Sequence, residues 1–370
     1  MTQAADRDPI YLDWNATTPP SQAVLAAMAA AGGLWANPAS VHALGRRARA
    51  VVESARERLA AVLSVHPRDV VFTSGGTEAN NLALHQATLL VTSRLEHPSV
   101  VKIAEQLEQL GRTRWLPVRA DGRVDPADVA ATLVDAPAGT WVSVSAANHE
   151  TGVIHPIADI AAVAQRRGAR LHVDAVQALG KLDLSALEGA HAVSVCAHKI
   201  QGPKGIGALA WRHAAAPTPF LRGGAQERGL RPGSQDAVLA AGFGAALEGL
   251  DIERHWRLAE LRNPIERWLA ARGSVNGDVE HRLPHVTNVS VAGWRADELV
   301  AALDLRGVCV SAGSACSAGT VEPSPVITSM LGKGRSLAAV RISLGVETTA
   351  AEVEAALLVL DDVLRGTRPE

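Results

Sequence analysis

The 370-residue chain is poor in cysteine, with three residues scattered at Cys196, Cys309 and Cys316, and it holds one tyrosine and three phenylalanines. An odd, dispersed set of cysteines argues against a disulfide framework and fits a reducing compartment. No CxxC or His-rich spacing suggests zinc, so no metal site is expected. An excess of charge of one sign is also lacking: a net charge of -2 leaves no electrostatic case for nucleic acid or an anionic membrane as partner. No run approaches the roughly 20 apolar residues of a membrane span. The opening "MTQAADRDPIYLDW" has acidic residues and none of the apolar core of a secretory signal. A cytoplasmic protein with a small-molecule ligand is the expectation.

What is present is a globular composition, 47% hydrophobic and 20% charged, on a chain long enough for a large domain and a smaller companion. "DVVFTS", "TLLVTS", "TRWLPV", "WVSVSAAN", "ARLHVDAV", "HAVSVCA" and "GIGALAW" read as strands, several apolar throughout as strands buried on both faces are. Helical patterns such as "HPSVVKIAEQLEQLG" and "PIADIAAVAQRRG" lie between them and close on glycine. The alternation predicts an α/β fold, a mostly parallel sheet wrapped by helices, over residues 15–250. A long polar helix, "DIERHWRLAELRNPIERWLAARG", then leads into a mixed α+β segment. Residues 251–370, with 1–14, are assigned to the smaller domain. Its last helix opens at Thr349 with Glu352 three places on, the pattern of a capping box.

Ligands of open α/β sheets sit at the carboxyl ends of the strands. One such end, Ser74-Gly75-Gly76-Thr77, runs into a helix. Glycines admit a ligand close to the backbone, and free N–H groups at a helix start suit a phosphate; an ordinary capped turn has the same appearance, and the spacing is not that of a Walker loop. A second strand ends on Asp174, which reads either as a helix cap or as a buried anion for a cationic ligand group. The next ends at His198 and Lys199, where a partly desolvated amine could form a Schiff base and a solvated loop lysine is the plain alternative. Together, an anion cradle, a carboxylate and an amine match the needs of pyridoxal 5′-phosphate.

With these residues in view, the chain resembles the fold-type I pyridoxal-phosphate enzymes of the class V aminotransferase family, and within them the cysteine desulfurases. The likeness rests on "YLDWNATTP", "NPASVHALGRRAR", "FTSGGTEANN", "EHPSV", "HVDAVQALGK", "AHKIQGPKGIGAL", "GGAQERGLRPGS", "SAGSACSAGTVEPSP" and "VRISLG", in the family's order and over nearly the whole length. It implies a seven-stranded sheet and a homodimer that takes L-cysteine to L-alanine and hands sulfur to an acceptor or scaffold protein, for iron–sulfur clusters or other uses. A selenocysteine lyase or related class V lyase or transaminase, or a non-catalytic assembly protein, would share the fold.

Position by position, the resemblance makes Lys199 the Schiff-base lysine, Asp174 the partner of the pyridinium nitrogen and His97 the residue stacked on the ring. Gln177 would donate to the phenolic oxygen. Thr77 and His198, with Gly76, would bind the phosphate, and Ser234 would reach the phosphate of the neighbouring subunit. Arg341 would clamp the substrate carboxylate with Asn37 beside it. Cys316, in a mobile-looking Ser/Ala/Gly stretch closed by "EPSP", would be the nucleophile that takes sulfur as a persulfide, with Ser324 and Pro325 starting the next helix. Its thiolate is the attacking form, and His97 is the leading candidate for the base. Cys309, in "VCVS", reads as buried core. Two positions depart from the family. His149 stands in "NHET" where a second Asn is usual, and its imidazole is expected to titrate near pH 6.5 and make the ring's electronics pH dependent. Cys196 replaces a phosphate-binding Ser and is a weaker donor.

Overall fold

The computed structural model describes residues 8–212, 217–313 and 323–365. Its centre is a seven-stranded sheet in the order Val70–Thr73, Gly207–Trp211, Ala192–Cys196, Arg170–Asp174, Thr140–Ser145, Leu89–Thr92, Thr113–Trp115. Gly207–Trp211 runs antiparallel to both neighbours, and every other pairing is parallel. All seven correspond to the expected runs.

Period-2 alternation explains why these strands need cover on both faces. Val70, Phe72, Val91, Val142, Val144 and Ala208 face one core, shared with the helices Ala43–Val62, Ile157–Arg166 and Ala237–Glu248. Val71, Leu90, Trp141 and Leu209 face the other, closed by the helices Gly76–Leu84 and Pro98–Glu108. A sheet clad on both sides leaves its carboxyl edge as the place where a concave site can open. Ser145, Asp174 and Cys196 end adjacent strands at that edge.

The antiparallel strands Gly273–Val275, Val286–Val291 and Ala339–Ser343 form a second sheet. With the helices Leu258–Ala270, Ala296–Asp304 and Ala350–Arg365 they enclose a separate core that includes Leu12. The final helix opens as its spacing predicts: Thr349 N–H donates to Glu352 Oε2 at 2.7 Å and Glu352 N–H to Thr349 Oγ1 at 3.2 Å.

Two expectations are corrected. The long polar helix is two helices, Ile252–Trp256 and Leu258–Ala270, meeting at Arg257, and Pro264 sits inside the second, where it has no N–H for the carbonyl one turn back. Cys309 is not core. It lies in the two-residue strand Val308–Cys309, paired on one side with Ile10–Tyr11, so alternation buries Val308 and turns the Cys309 thiol half outward, toward Asp304.

Candidate active site

A cavity of about 250 Å³ opens at the carboxyl edge of the sheet, lined by Asn15, Gly76, Thr77, His97, His149, Asp174, Gln177, Cys196, His198, Lys199 and Arg341 among others. Of the residues expected to act on cofactor or substrate, ten therefore share one space.

The first strand delivers its chain into the helix Gly76–Leu84 without a side-chain cap, which leaves N–H groups at the cavity for an anion. Two glycines make the approach possible. A Cβ on Gly76 would stand 2.7 Å from Val176 Cγ2, and one on Gly207 would stand 2.6 Å from the Gly75 backbone. Thr77 and His198 border the same wall. His198 Nδ1 lies 3.2 Å from Thr17 Oγ1, and burial, with Lys199 nearby, pushes its imidazole down to about 4, so it stays neutral.

Asp174 is buried and combines both roles read from its position. Its Oδ1 accepts Val176 N–H at 3.0 Å as a local cap, and its Oδ2 accepts Asn80 Nδ2 at 2.7 Å. Asn80 Nδ2 also reaches Ser99 Oγ at 2.8 Å, and that hydroxyl lies 2.8 Å from His97 Nδ1. His97 caps the helix Pro98–Glu108 by accepting Ser99 N–H at 3.1 Å. With Nδ1 accepting, the ring proton belongs on Nε2. Burial lowers the His97 pKa although Asp174 opposes the shift, so His97 presents a neutral ring with a donor at Nε2.

His149 stands edge-on to His97, ring centroids 5.3 Å apart. The expectation that it titrates near pH 6.5 is overturned. Burial, then His97, Arg341 and Lys199, hold its pKa well below the ordinary value, because a second cation in this desolvated, positively charged corner is disfavoured. The ring resonances of His149 should stay flat between about pH 5.5 and 8 in a histidine-resolved NMR titration; an inflection near 6.5 would refute this.

Cys196, at the end of its strand, is fully buried with its thiol pushed up to about 11 by desolvation, which leaves it a protonated, weak donor. Lys199 follows in a short turn. Its Nζ donates to Asn15 O and, at 2.8 Å, to Ala16 O. Gln177 Nε2 donates to Asn15 O at 3.1 Å. Arg341 is 2% exposed, donating from Nη1 to His149 O at 3.0 Å and from Nη2 to Asp13 Oδ1 at 2.6 Å. Its Nε has no acceptor among the described residues, so a substrate carboxylate would find a guanidinium already aimed and partly unsatisfied.

Two expected residues stand elsewhere, and a third is not among the described residues. Asn37 is exposed and spends its Oδ1 on Ala39 N–H at 2.9 Å; it does not line the cavity. Ser234 is exposed beside a different cavity, with Arg231 and Thr73, and Asp236 rather than Ser234 caps the next helix. Cys316 lies outside the described residues. The chain on either side of it is at the site: Ser311 N–H and O bond Arg341 O and N at 3.1 and 2.8 Å, and Ser324, capping Pro325–Leu331 as predicted, donates to buried Glu150.

Residues not singled out in the sequence hold this arrangement. Asn15, Asn80 and Asp13 lay within recognised motifs, yet nothing in local spacing shows that Asn15 O receives both Lys199 and Gln177. Glu96 is fully buried beside Asp174, accepts Ser145 N–H at 3.1 Å, and is pushed up to about 8 by desolvation. It therefore carries a proton at neutral pH that the unfolded chain would lose, and its contribution to stability declines as pH rises from about 4.5 to 8. Glu96→Gln should be near neutral to stability at about pH 5 and stabilising by roughly 1–3 kcal/mol at about pH 9 in denaturant titrations; equal effects at both would count against a protonated carboxyl.

The comparisons agree with this geometry. The family model for class-V aminotransferases matches residues 10–356. A cysteine desulfurase of Trichormus azollae is 37% identical over 97% of this chain and 94% of its own. Among solved structures, a NifS-like protein superimposes with a TM-score of 0.88 at 31% identity, covering 96% of this chain and 99% of that one. The protein SspA, solved in complex with cysteine, gives 0.79 at 31% identity over 90% and 98%. The chain belongs to the class-V aminotransferases, a family of fold-type I enzymes that depend on pyridoxal phosphate. Within that family it is a member of the cysteine desulfurases. Its residues fit the cofactor: an uncapped helix start, a buried carboxylate and a lysine amine converge on one cavity.

Proposed function

We propose that this protein converts L-cysteine to L-alanine and carries the released sulfur as a persulfide on Cys316, for delivery to an acceptor protein. The observation that supports it most is the convergence of Lys199, Asp174 and the helix start at Gly76–Thr77 on a single cavity flanked by Arg341. Bound there, pyridoxal phosphate supplies an electron sink for the carbon that loses a proton. Lys199 would hold the cofactor aldehyde and, once displaced by substrate, take the Cα proton at Nζ. Asp174, oriented by Asn80 Nδ2 and Val176 N–H, would face the ring nitrogen and hold its proton. Gly76, Thr77 and His198 would receive the phosphate, Gln177 and His149 would face the ring's polar edge, and Cys196 would border the phosphate as a weak donor. Arg341 would grip the substrate carboxylate, and neutral His97 would offer an Nε2–H hydrogen bond toward cofactor and substrate while keeping its proton. Cys316 thiolate would attack the substrate sulfur: the new S–S bond forms as the C–S bond breaks.

The same reading takes residues 15–250 as the cofactor-binding domain and 1–14 with 251–370 as the smaller one. It takes the working form as a cytoplasmic homodimer, with Ser234 and Asn37 serving the neighbouring subunit. Their distance from their own chain's cavity supports this, as do Trp35 and Val41, 81% and 84% exposed near Asn37. Iron–sulfur cluster assembly is the use this reading favours.

The test is incubation with L-cysteine and a reductant, measuring alanine and sulfide. Equal amounts are expected from the native protein and neither from Cys316→Ala. Undiminished turnover by that variant would point instead to a lyase that does not use the thiol.

A further inference from the structure

Lys199 borders two cavities. Besides the one described, a smaller space of about 70 Å³ lies behind it, lined by Lys181, His255, His285, Thr18 and Gln201 among others. That volume has room for a few waters. Lys181 is 5% exposed, and its Nζ donates to Gln177 Oε1 at 2.8 Å, its hydrogen-bond acceptor among the described residues. Beyond this bond a neutral amine keeps a second N–H and a lone pair, and an ammonium two further N–H groups, so either form needs partners that water in the rear cavity would supply. On the protein side the two amines are already joined: Gln177 accepts from Lys181 and donates to Asn15 O, which also accepts Lys199 Nζ.

The rear wall is set to stay uncharged. His285 Nε2 lies 2.7 Å from Asn15 Oδ1 and His255 Nε2 lies 2.9 Å from His285 Nδ1. Asn15 Nδ2 is committed to His149 O at 3.2 Å, so Oδ1 must accept, which places protons on His285 Nε2 and His255 Nε2. Both histidines are driven down by burial, His255 to about 3. Neither is suited to take a proton from Lys199 near neutral pH.

We infer that Lys181 and the rear cavity form a proton-exchange chamber for Lys199, a role that rests on the reading of Lys199 as the base at substrate Cα. When Lys199 Nζ has taken the substrate's proton and the front cavity is filled by cofactor and substrate, one proton passes from the Lys199 ammonium through cavity water to the neutral Lys181 amine. From the moment Lys199 takes the Cα proton the pair shares one positive charge, and return of a proton to substrate carbon or its loss to solvent restores the neutral pair. Two like charges in one desolvated region resist simultaneous protonation. Lys181 meets that condition: desolvation first, then Lys199, brings its pKa down to about 7, with Cys196 opposing and Arg341 adding to the shift. The other charged groups at this cavity, Asp251 and Arg254, lie at its exposed margin.

The experiment compares native enzyme, Lys181→Met and Lys181→Arg as holoenzymes converting α-deuterated L-cysteine in ordinary water, reading deuterium retained in the alanine. The native enzyme should lose most of the label. Both variants, one without a charge and one that cannot surrender its proton, should retain several-fold more. Retention equal to the native enzyme in Lys181→Met overturns the proposal. So does native behaviour in Lys181→Arg, which would mean that residue 181 only orients Gln177. A second readout does not need turnover. Lys181 binds fewer protons in the fold than in the unfolded chain between about pH 7 and 10.5, so its amine makes stability rise with pH over that window. Denaturant titrations should show that rise in the native protein and a flatter profile in Lys181→Met; identical slopes overturn the proposal. If the native enzyme formed no alanine, the functional reading would fall, and the stability profiles would still decide the state of Lys181.

Discussion

Replacing Lys199 by Ala should reduce alanine formation by at least about 10⁴-fold, the scale seen when a covalent catalytic group is removed. The amine has two tasks in the proposed reaction, holding the cofactor and moving the Cα proton, and no other amine lines the front cavity among the described residues. The site also prepares it: Asn15 O and Ala16 O accept its N–H groups, so the protonated form has a place to rest after displacement. Lys199→Arg separates these tasks from charge alone. A guanidinium keeps the cation but does not deprotonate at working pH, so Arg is expected to be as inactive as Ala. The visible absorbance of the lysine-linked cofactor should vanish in both variants. Turnover within tenfold of native in either one would remove Lys199 from the chemistry.

Glu227→Gln should destabilise the fold by about 3–5 kcal/mol, read as a lower denaturant midpoint with an unchanged slope. Glu227 and Arg56 have side chains 1% and 3% exposed and meet through two bonds of 2.7 and 2.8 Å. Glu227 also accepts Phe72 N–H at 3.0 Å and the Gln235 amide, while Arg56 stacks 4.7 Å from the Phe72 ring centroid. An amide in that place turns an acceptor into a donor facing donors and leaves the buried guanidinium with only the half-exposed Glu53 as counter-ion. The backbone gives a second reason. Glu227 and Arg228 hold φ of 48° and 58°, a left-handed conformation that costs non-glycine residues roughly 1–2 kcal/mol each, and the buried pair is what holds them there. Replacing both Arg56 and Glu227 with apolar residues should lose less than the two single changes summed. A fully additive double variant would show that the pair is not coupled. The loop so held leads to Ser234, so the single variants should also weaken any dimer that depends on it.

Much of the protein was readable in the linear chain, for identifiable reasons. Strands buried on both faces leave continuous apolar runs, and several of the seven central strands announced themselves that way, whereas the edge strand Thr113–Trp115 is only half-buried. Capping chemistry is local, so Thr349 with Glu352 and Ser324 with Pro325 could be placed by spacing alone. Asp174 and Lys199 could be selected because one ends a buried strand and the other follows one by three residues, where a charged group has few reasons to be. Other features depend on residues distant in sequence. Cys309 was misjudged because edge pairing with Ile10–Tyr11, not its apolar neighbours, sets which way a two-residue strand faces. His149 was misjudged because its ordinary pKa belongs to water, whereas its position beside His97, Lys199 and Arg341 exists only in the fold. Asn15 and Lys181 gave no local signal, since Asn15 acts through hydrogen bonds to groups more than a hundred residues away and Lys181 through a cavity lined by residues as distant as Trp14 and Val346. Periodicity, caps and strand ends thus follow from the chain itself, because they arise between residues a few places apart. Desolvation, the hand-off of hydrogen bonds around Lys199, and the second cavity behind it were decided by tertiary structure, because dielectric environment and enclosure belong to packed elements rather than to any one of them.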